Sequence, residues 1–71
     1  MHPAVESLLQ FFVYEHLPEG LIRDASKPFC ALAEQIANKW PDHAETTVAM
    51  RKLLEAKDCA VRAIVASMAV K

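Results

Sequence analysis

The stretch "PDHAETTVAMRKLLEAKD", Pro41 to Asp58, decides the fold. It closes one helix and opens the next. Pro41, after Trp40, cannot continue a helix without losing a hydrogen bond. Asp42 with Glu45 three residues on has the form of a capping box, with aspartate in the Ser/Thr place. From about His43 the spacing predicts a helix reaching Ala69. Ala49, Leu53, Ala56, Ala60, Ala63 and Ser67 form one stripe of mostly small residues along it. Small side chains let helix axes approach closely, so this face is expected to meet another helix. Leu54, Val61, Val65 and Met68 form a second, bulkier stripe. A helix apolar on two faces has more to bury than one neighbour can cover.

Upstream, Ile22, Ala25, Phe29, Leu32 and Ile36 recur at helical spacing and predict a second helix, beginning at Pro18 or Leu21 and ending at Lys39. Pro28 lies inside it and is expected to kink the helix or to mark a fresh start, with Ser26 as the new N-cap. Val5, Leu8, Leu9 and Phe12 predict a first helix from Pro3 to Tyr14, ended by "YEHLPEG". With a single glycine and no run of β-branched residues, the expected fold is all-α: a short N-terminal helix and two longer antiparallel helices in one domain spanning residues 1–71.

The bulk numbers point to self-association. Seventy-one residues lie near the lower limit for a chain that buries its own core. Hydrophobic residues make up 54% of the chain, more than so small a monomer can hide, and oligomerisation is a common remedy in small scaffolds. A net charge of −1 gives no general attraction to a DNA or RNA polymer, so any anion site must be local. Cys30 and Cys59 fall at apolar helical positions and read as reduced core residues. No segment is long enough to span a membrane, and the N-terminus lacks the basic region of a signal peptide. A cytoplasmic protein is the expectation.

No catalytic constellation emerges. His2, His16 and His43 lie in separate turns or ends without metal-ligand spacing. No serine sits in a nucleophile elbow, and no glycine-rich loop offers to cradle a phosphate. Neither enzyme chemistry nor a cofactor is expected. Binding is better provided for. Tyr14, beside a restricted turn, either closes the core or stacks on a base. Arg23, Lys27, Arg51 and Lys52 are the phosphate candidates, arginine as a planar fork and lysine as a point charge. The competing role for such cations is ordinary helix-surface pairing, Arg51 or Lys52 with Glu55 and Asp58 with Arg62.

The run "PDHAETTVAMRKLLEAKDCAVRAIVA" resembles the C-terminal helix of the phage anti-CBASS cyclic-nucleotide sponges, the anti-CBASS protein 2 family. Pro41, Asp42, Glu45, Ala49, Lys52, Leu53, Glu55 and Ala56 fall on matching residues without gaps. "YEHLP" resembles that family's Tyr-His-Pro-type segment and "FCALAEQI" its Phe-x-x-Leu-Ala run, so the likeness covers roughly residues 14–66. The resemblance implies a compact helical homohexamer without catalytic activity. Such proteins sequester cyclic dinucleotides between protomers, in some cases cyclic trinucleotides at separate sites, and so block CBASS signalling in a bacterial cytoplasm. It makes Tyr14 the base-stacking residue, Lys27 the phosphate contact and Arg23 its fallback, with Lys52 and Glu55 either at the interface or on the ligand. The full candidate binding set is Tyr14, Arg23, Lys27, His16, Pro18, Ser26, Arg51 and Lys52. Ala44 stands where the family often has arginine, which weakens the case for a trinucleotide site. Cys59 replaces a family tryptophan, Leu54 a glutamate, and Arg51 a threonine or similar residue. The alternative without the resemblance is a small helical oligomerisation or adaptor module that binds a protein.

Overall fold

The computed structural model describes residues 1–69. The chain forms α1 (Pro3–Leu9), a 3-10 turn (Gln10–Phe12), α2 (Leu21–Lys39) and α3 (Ala44–Ala69), and among the described residues there is no strand. The turn at 40–43 folds α3 back along α2 as an antiparallel hairpin, and α1 packs against both. The long axis measures 46 Å against 20 and 15 Å across.

The turn end is tied by its own polar groups. The His2 N–H donates to the Pro41 carbonyl at 3.0 Å, and the Thr46 hydroxyl donates to the Trp40 carbonyl at 2.6 Å. The expected Asp42–Glu45 capping box does not form. Instead His43 Nδ1 accepts the Glu45 N–H at 3.0 Å, while Asp42 lies 3.9 Å from the N-terminal amine. His2 does the same for α1, its Nδ1 accepting the Ala4 N–H at 3.0 Å. An imidazole with a free lone pair satisfies an orphan helix donor as a hydroxyl or carboxylate does.

The first helix is shorter than its apolar spacing predicts. α1 stops at Leu9, the chain tightens into the 3-10 turn, and Val13 is already extended. A 3-10 turn is a common way to end a helix. Here the Lys57 ammonium donates to the Phe11 carbonyl from α3, answering an acceptor that a continuing helix would have used. Tyr14 therefore sits in a loop, its carbonyl accepting the Leu17 N–H at 2.9 Å.

α2 begins at Leu21, the later of the two candidate starts, and runs through Pro28 without restarting. Ser26 is therefore not an N-cap. It is buried in mid-helix, and its hydroxyl donates to the Ile22 carbonyl one turn back at 2.8 Å. The packing line of α2 is also one position round from the bulky residues. Ser26, Cys30, Ala33 and Ala37 are the buried ones, while Ile22, Phe29 and Ile36 flank them and Leu32 is exposed. Small residues on that line leave room for Phe12 and Met50, both fully buried. Alternating large and small side chains across a seam is how cores reach close packing.

On α3 the buried line is Thr46 and Met50, continued by half-buried Leu53, Leu54, Lys57, Val61 and Ile64. The small-residue stripe is covered only in part: Ala49, Leu53 and Ala60 are half-buried, with Leu53 packed against the core, whereas Ala56, Ala63 and Ser67 are exposed. Of the two cysteines only Cys30 is in the core. Cys59 is exposed, and both are free thiols. The helix-surface pairs read from spacing are likewise absent. Among the described residues the ion pairs are Met1–Asp42 and Lys27–Asp24.

Candidate functional site

Three of the candidate residues meet at the start of α2. Arg23 and Lys27 are one helical turn apart, so both point to one side of the helix. Tyr14, delivered by the loop after the 3-10 turn, presents its ring to both. The Arg23 guanidinium carbon lies 5.8 Å from the ring centroid and Lys27 Nζ 5.9 Å. These are cation–π distances, worth about 0.5–1 kcal/mol each at an exposed site. Tyr14 is half-buried and also packs against the core. It thus closes the core and faces the cations at once.

The surroundings leave polar capacity unused. Gly20 caps α2 with a positive φ of 144° and no side-chain hydrogen bond, although its carbonyl accepts the Asp24 N–H. The first N–H groups of a 19-residue helix therefore carry their partial positive charge without a side-chain cap. Arg23 Nε is buried and has no hydrogen-bond partner among the described residues. A shallow hollow of about 370 Å³, lined by Glu19, Gly20, Arg23, Asp24 and Lys27, opens here. Its side-chain charges balance. Asp24 already sits 3.9 Å from Lys27, so an incoming anion must compete with that carboxylate.

The remaining candidates lie elsewhere. His16 and Ser26 border a second, larger groove of about 500 Å³ between the 3-10 turn, the following loop and α3. The Ser26 hydroxyl is committed to Ile22. Pro18 is exposed in the loop, and Arg51 and Lys52 are exposed on α3, lining neither concavity. The groove has an apolar floor that includes Leu17, Ile22 and Val61, with Lys57, Asp58 and Arg62 along α3. Lys57 also lies 5.6 Å from the Phe12 ring centroid. It thereby fixes the wall of the groove, a role its sequence context does not announce.

The Cys30 thiol is buried in the core. Burial, then a 3.5 Å hydrogen bond to Glu34 and the charges of Glu34 and Glu15, pushes the Cys30 thiol above its ordinary range, only partly opposed by Lys57. A thiol kept protonated is a poor nucleophile. Among the described residues no three His, Cys, Asp or Glu side chains gather as metal ligands, and no helix is long and apolar enough to cross a membrane. Compared with family models, with curated proteins and with solved structures, the chain matches none of them.

Proposed function

We propose that the chain binds cyclic oligonucleotides through the Tyr14–Arg23–Lys27 cluster and holds them uncleaved, as a sponge that blocks CBASS-type signalling. The observation that carries this reading is the convergence of two cations on one tyrosine ring beside a helix start without a side-chain cap. A cyclic dinucleotide brings two aromatic bases and two phosphates. Binding exchanges partners: the phosphate takes the cations, and the ring they release takes the base. Stacking of a base on an aromatic ring is worth about 1–3 kcal/mol, enough to offset the ~1–2 kcal/mol of the two cation–π contacts given up, so the phosphate contacts supply the net gain. The orphaned Arg23 Nε gains an acceptor in the same step.

One chain supplies one ring and one cation pair, half of what such a ligand presents. Two chains related by symmetry supply the other half. The reading therefore includes a homo-oligomer, a hexamer by the sequence resemblance, with sites between protomers. The protein acts in the cytoplasm of the bacterium, needs no cofactor and cleaves nothing. Trinucleotides are secondary ligands, since Ala44 lacks the arginine that a separate site would use.

The test is calorimetric titration with a panel of cyclic di- and trinucleotides, followed by heating the complex and chromatography of what is released. The expected result is tight binding of at least one cyclic dinucleotide and its recovery intact. Tyr14→Ala is expected to lower that affinity about tenfold or more while the assembly keeps its size. Degraded ligand would make the protein an enzyme. Binding to no member of the panel would favour the adaptor reading, for which the groove beside α3 is the available surface.

A further inference from the structure

α3 is seven residues longer than α2, 26 against 19. Counted back from the turn, the start of α2 lies level with Arg62, so residues 63–69 run about 10 Å past it at 1.5 Å per residue. That projecting segment, "AIVASMA", carries no charge, and Val65 and Met68 are 50% and 61% exposed. Immediately before it on the same helix flank, at spacings of three and four, come Leu54, Asp58 and Val61. Asp58 and Val61 line the 500 Å³ groove. Its opposite bank holds Phe11 and Val13, 53% and 43% exposed. An uncharged projection and a groove of mixed lining, with apolar Phe11, Val13, Leu17, Ile22 and Val61 among its walls, therefore adjoin on one face of one chain.

Asp58 and Arg62 add a second observation. They stand one turn apart, both exposed and both on the groove, yet they form no ion pair with each other. Arg62 instead points a guanidinium nitrogen to within 3.9 Å of the Cys59 sulfur. A two-fold axis crossing α3 midway between Asp58 and Arg62 sets each aspartate against the arginine of the other copy, twice. The same axis carries each projecting segment back along the other copy's α3, toward Phe11 and Val13.

We infer that this face docks a second copy of the chain, with the two α3 helices antiparallel, the Asp58–Arg62 pairs formed between copies, and each projecting segment covering the other's groove. The contact is isologous and closes on itself. A stable interface of this kind takes on the order of 800 Å² from each partner, roughly a sixth of the 4929 Å² this chain exposes. The inferred contact lies apart from the Tyr14–Arg23–Lys27 cluster and does not depend on the ligand.

The test uses charge reversal and analytical ultracentrifugation without any nucleotide, so its failure and a failure to bind nucleotide are separate results. The wild-type chain is expected to sediment as a dimer or an even multiple of one. Asp58→Arg alone and Arg62→Asp alone each place like charges opposite one another, and each is expected to lose this contact with at least a tenfold weaker association. Mixing the two variants restores opposite charges at both positions, and the mixed species is expected to reassemble. An intrahelical pair cannot produce that rescue. Val65→Glu probes the same face without touching the pair and is also expected to dissociate it. A wild-type monomer at about 100 µM, where a contact of micromolar affinity would be formed, an odd-numbered assembly, single variants that associate like wild type, or a mixture that stays apart would each overturn the inference.

Discussion

The two ends of the helical hairpin are finished differently. At the turn end, backbone groups are answered within the chain: Pro41 by His2, Trp40 by Thr46, and the first turn of α3 by His43. At the other end α2 starts on a bare glycine, Arg23 Nε has no partner among the described residues, and α3 projects beyond its neighbour. A helix start closed by its own side chains stabilises the fold and has nothing left to offer a ligand. One left open has backbone donors without a side-chain cap, beside two cations and an aromatic ring. The contrast separates the part of the molecule that holds it together from the part where the proposed nucleotide site lies.

Mutations can break that contrast from either side. The largest effect is expected at Phe12, fully buried between the helices. Phe12→Ala removes a core aromatic and is expected to cost about 3–5 kcal/mol, enough to unfold a small domain outright, as circular dichroism on heating would show. Next comes the turn end. Thr46→Val deletes a buried donor and strands the Trp40 carbonyl, an expected loss of about 1–3 kcal/mol in urea unfolding with nucleotide affinity intact. His43→Ala removes the α3 cap, for about 0.5–2 kcal/mol, again without effect on binding. Arg23→Ala at the open end is expected to do the reverse. Stability falls by no more than about 1 kcal/mol, the cation–π contact with Tyr14, whereas nucleotide binding is lost. Asp24→Asn frees Lys27 from its carboxylate partner and is expected to tighten binding about fivefold, in line with an exposed pair worth up to about 1 kcal/mol.

The cysteines offer a smaller contrast of the same kind. Cys59 is exposed and Cys30 buried, so one thiol per chain is expected to react promptly with a thiol reagent and the other only on unfolding. Because the Cys30 thiol is pushed upward in the folded state, the unfolded chain gives up that proton first as pH rises. The stability from keeping Cys30 protonated is then fully present below the thiol's ordinary range and is lost as pH climbs through the raised one. Melting temperature is expected to fall above pH ~9, less steeply in Cys30→Ala.

Read from spacing alone, the sequence already contains the hairpin. Pro41 and the periodicity on both sides of it place two long helices within a few residues of where they lie, and Val5 and Phe12 are recognisable as core. The packing line of α2 was harder to see. Periodicity marks the bulky Ile22, Phe29 and Ile36, yet the small residues one position round are buried because Phe12 and Met50 come from elsewhere to fill the space above them. The helix caps were hidden for a related reason. A histidine is read first as a titratable group or a metal ligand, and only its backbone neighbours show that its ring nitrogen is capping. Of the binding set, Tyr14, Arg23 and Lys27 converge because a loop returns Tyr14 to the face shared by residues one turn apart. Arg51 and Lys52, adjacent in sequence and attractive as a pair, stay on open helix surface. Neighbours along a helix point in different directions, so adjacency in sequence says little about a shared site.

The most direct measurement is titration calorimetry of wild type, Arg23→Ala and Tyr14→Ala with the cyclic dinucleotide panel, all three verified as folded and of equal assembly size. Binding at one site per pair of chains in the wild type is predicted, abolished in Arg23→Ala and weakened about tenfold in Tyr14→Ala. Equal affinity in all three, or no binding in the wild type, would contradict a nucleotide site at the open end of α2.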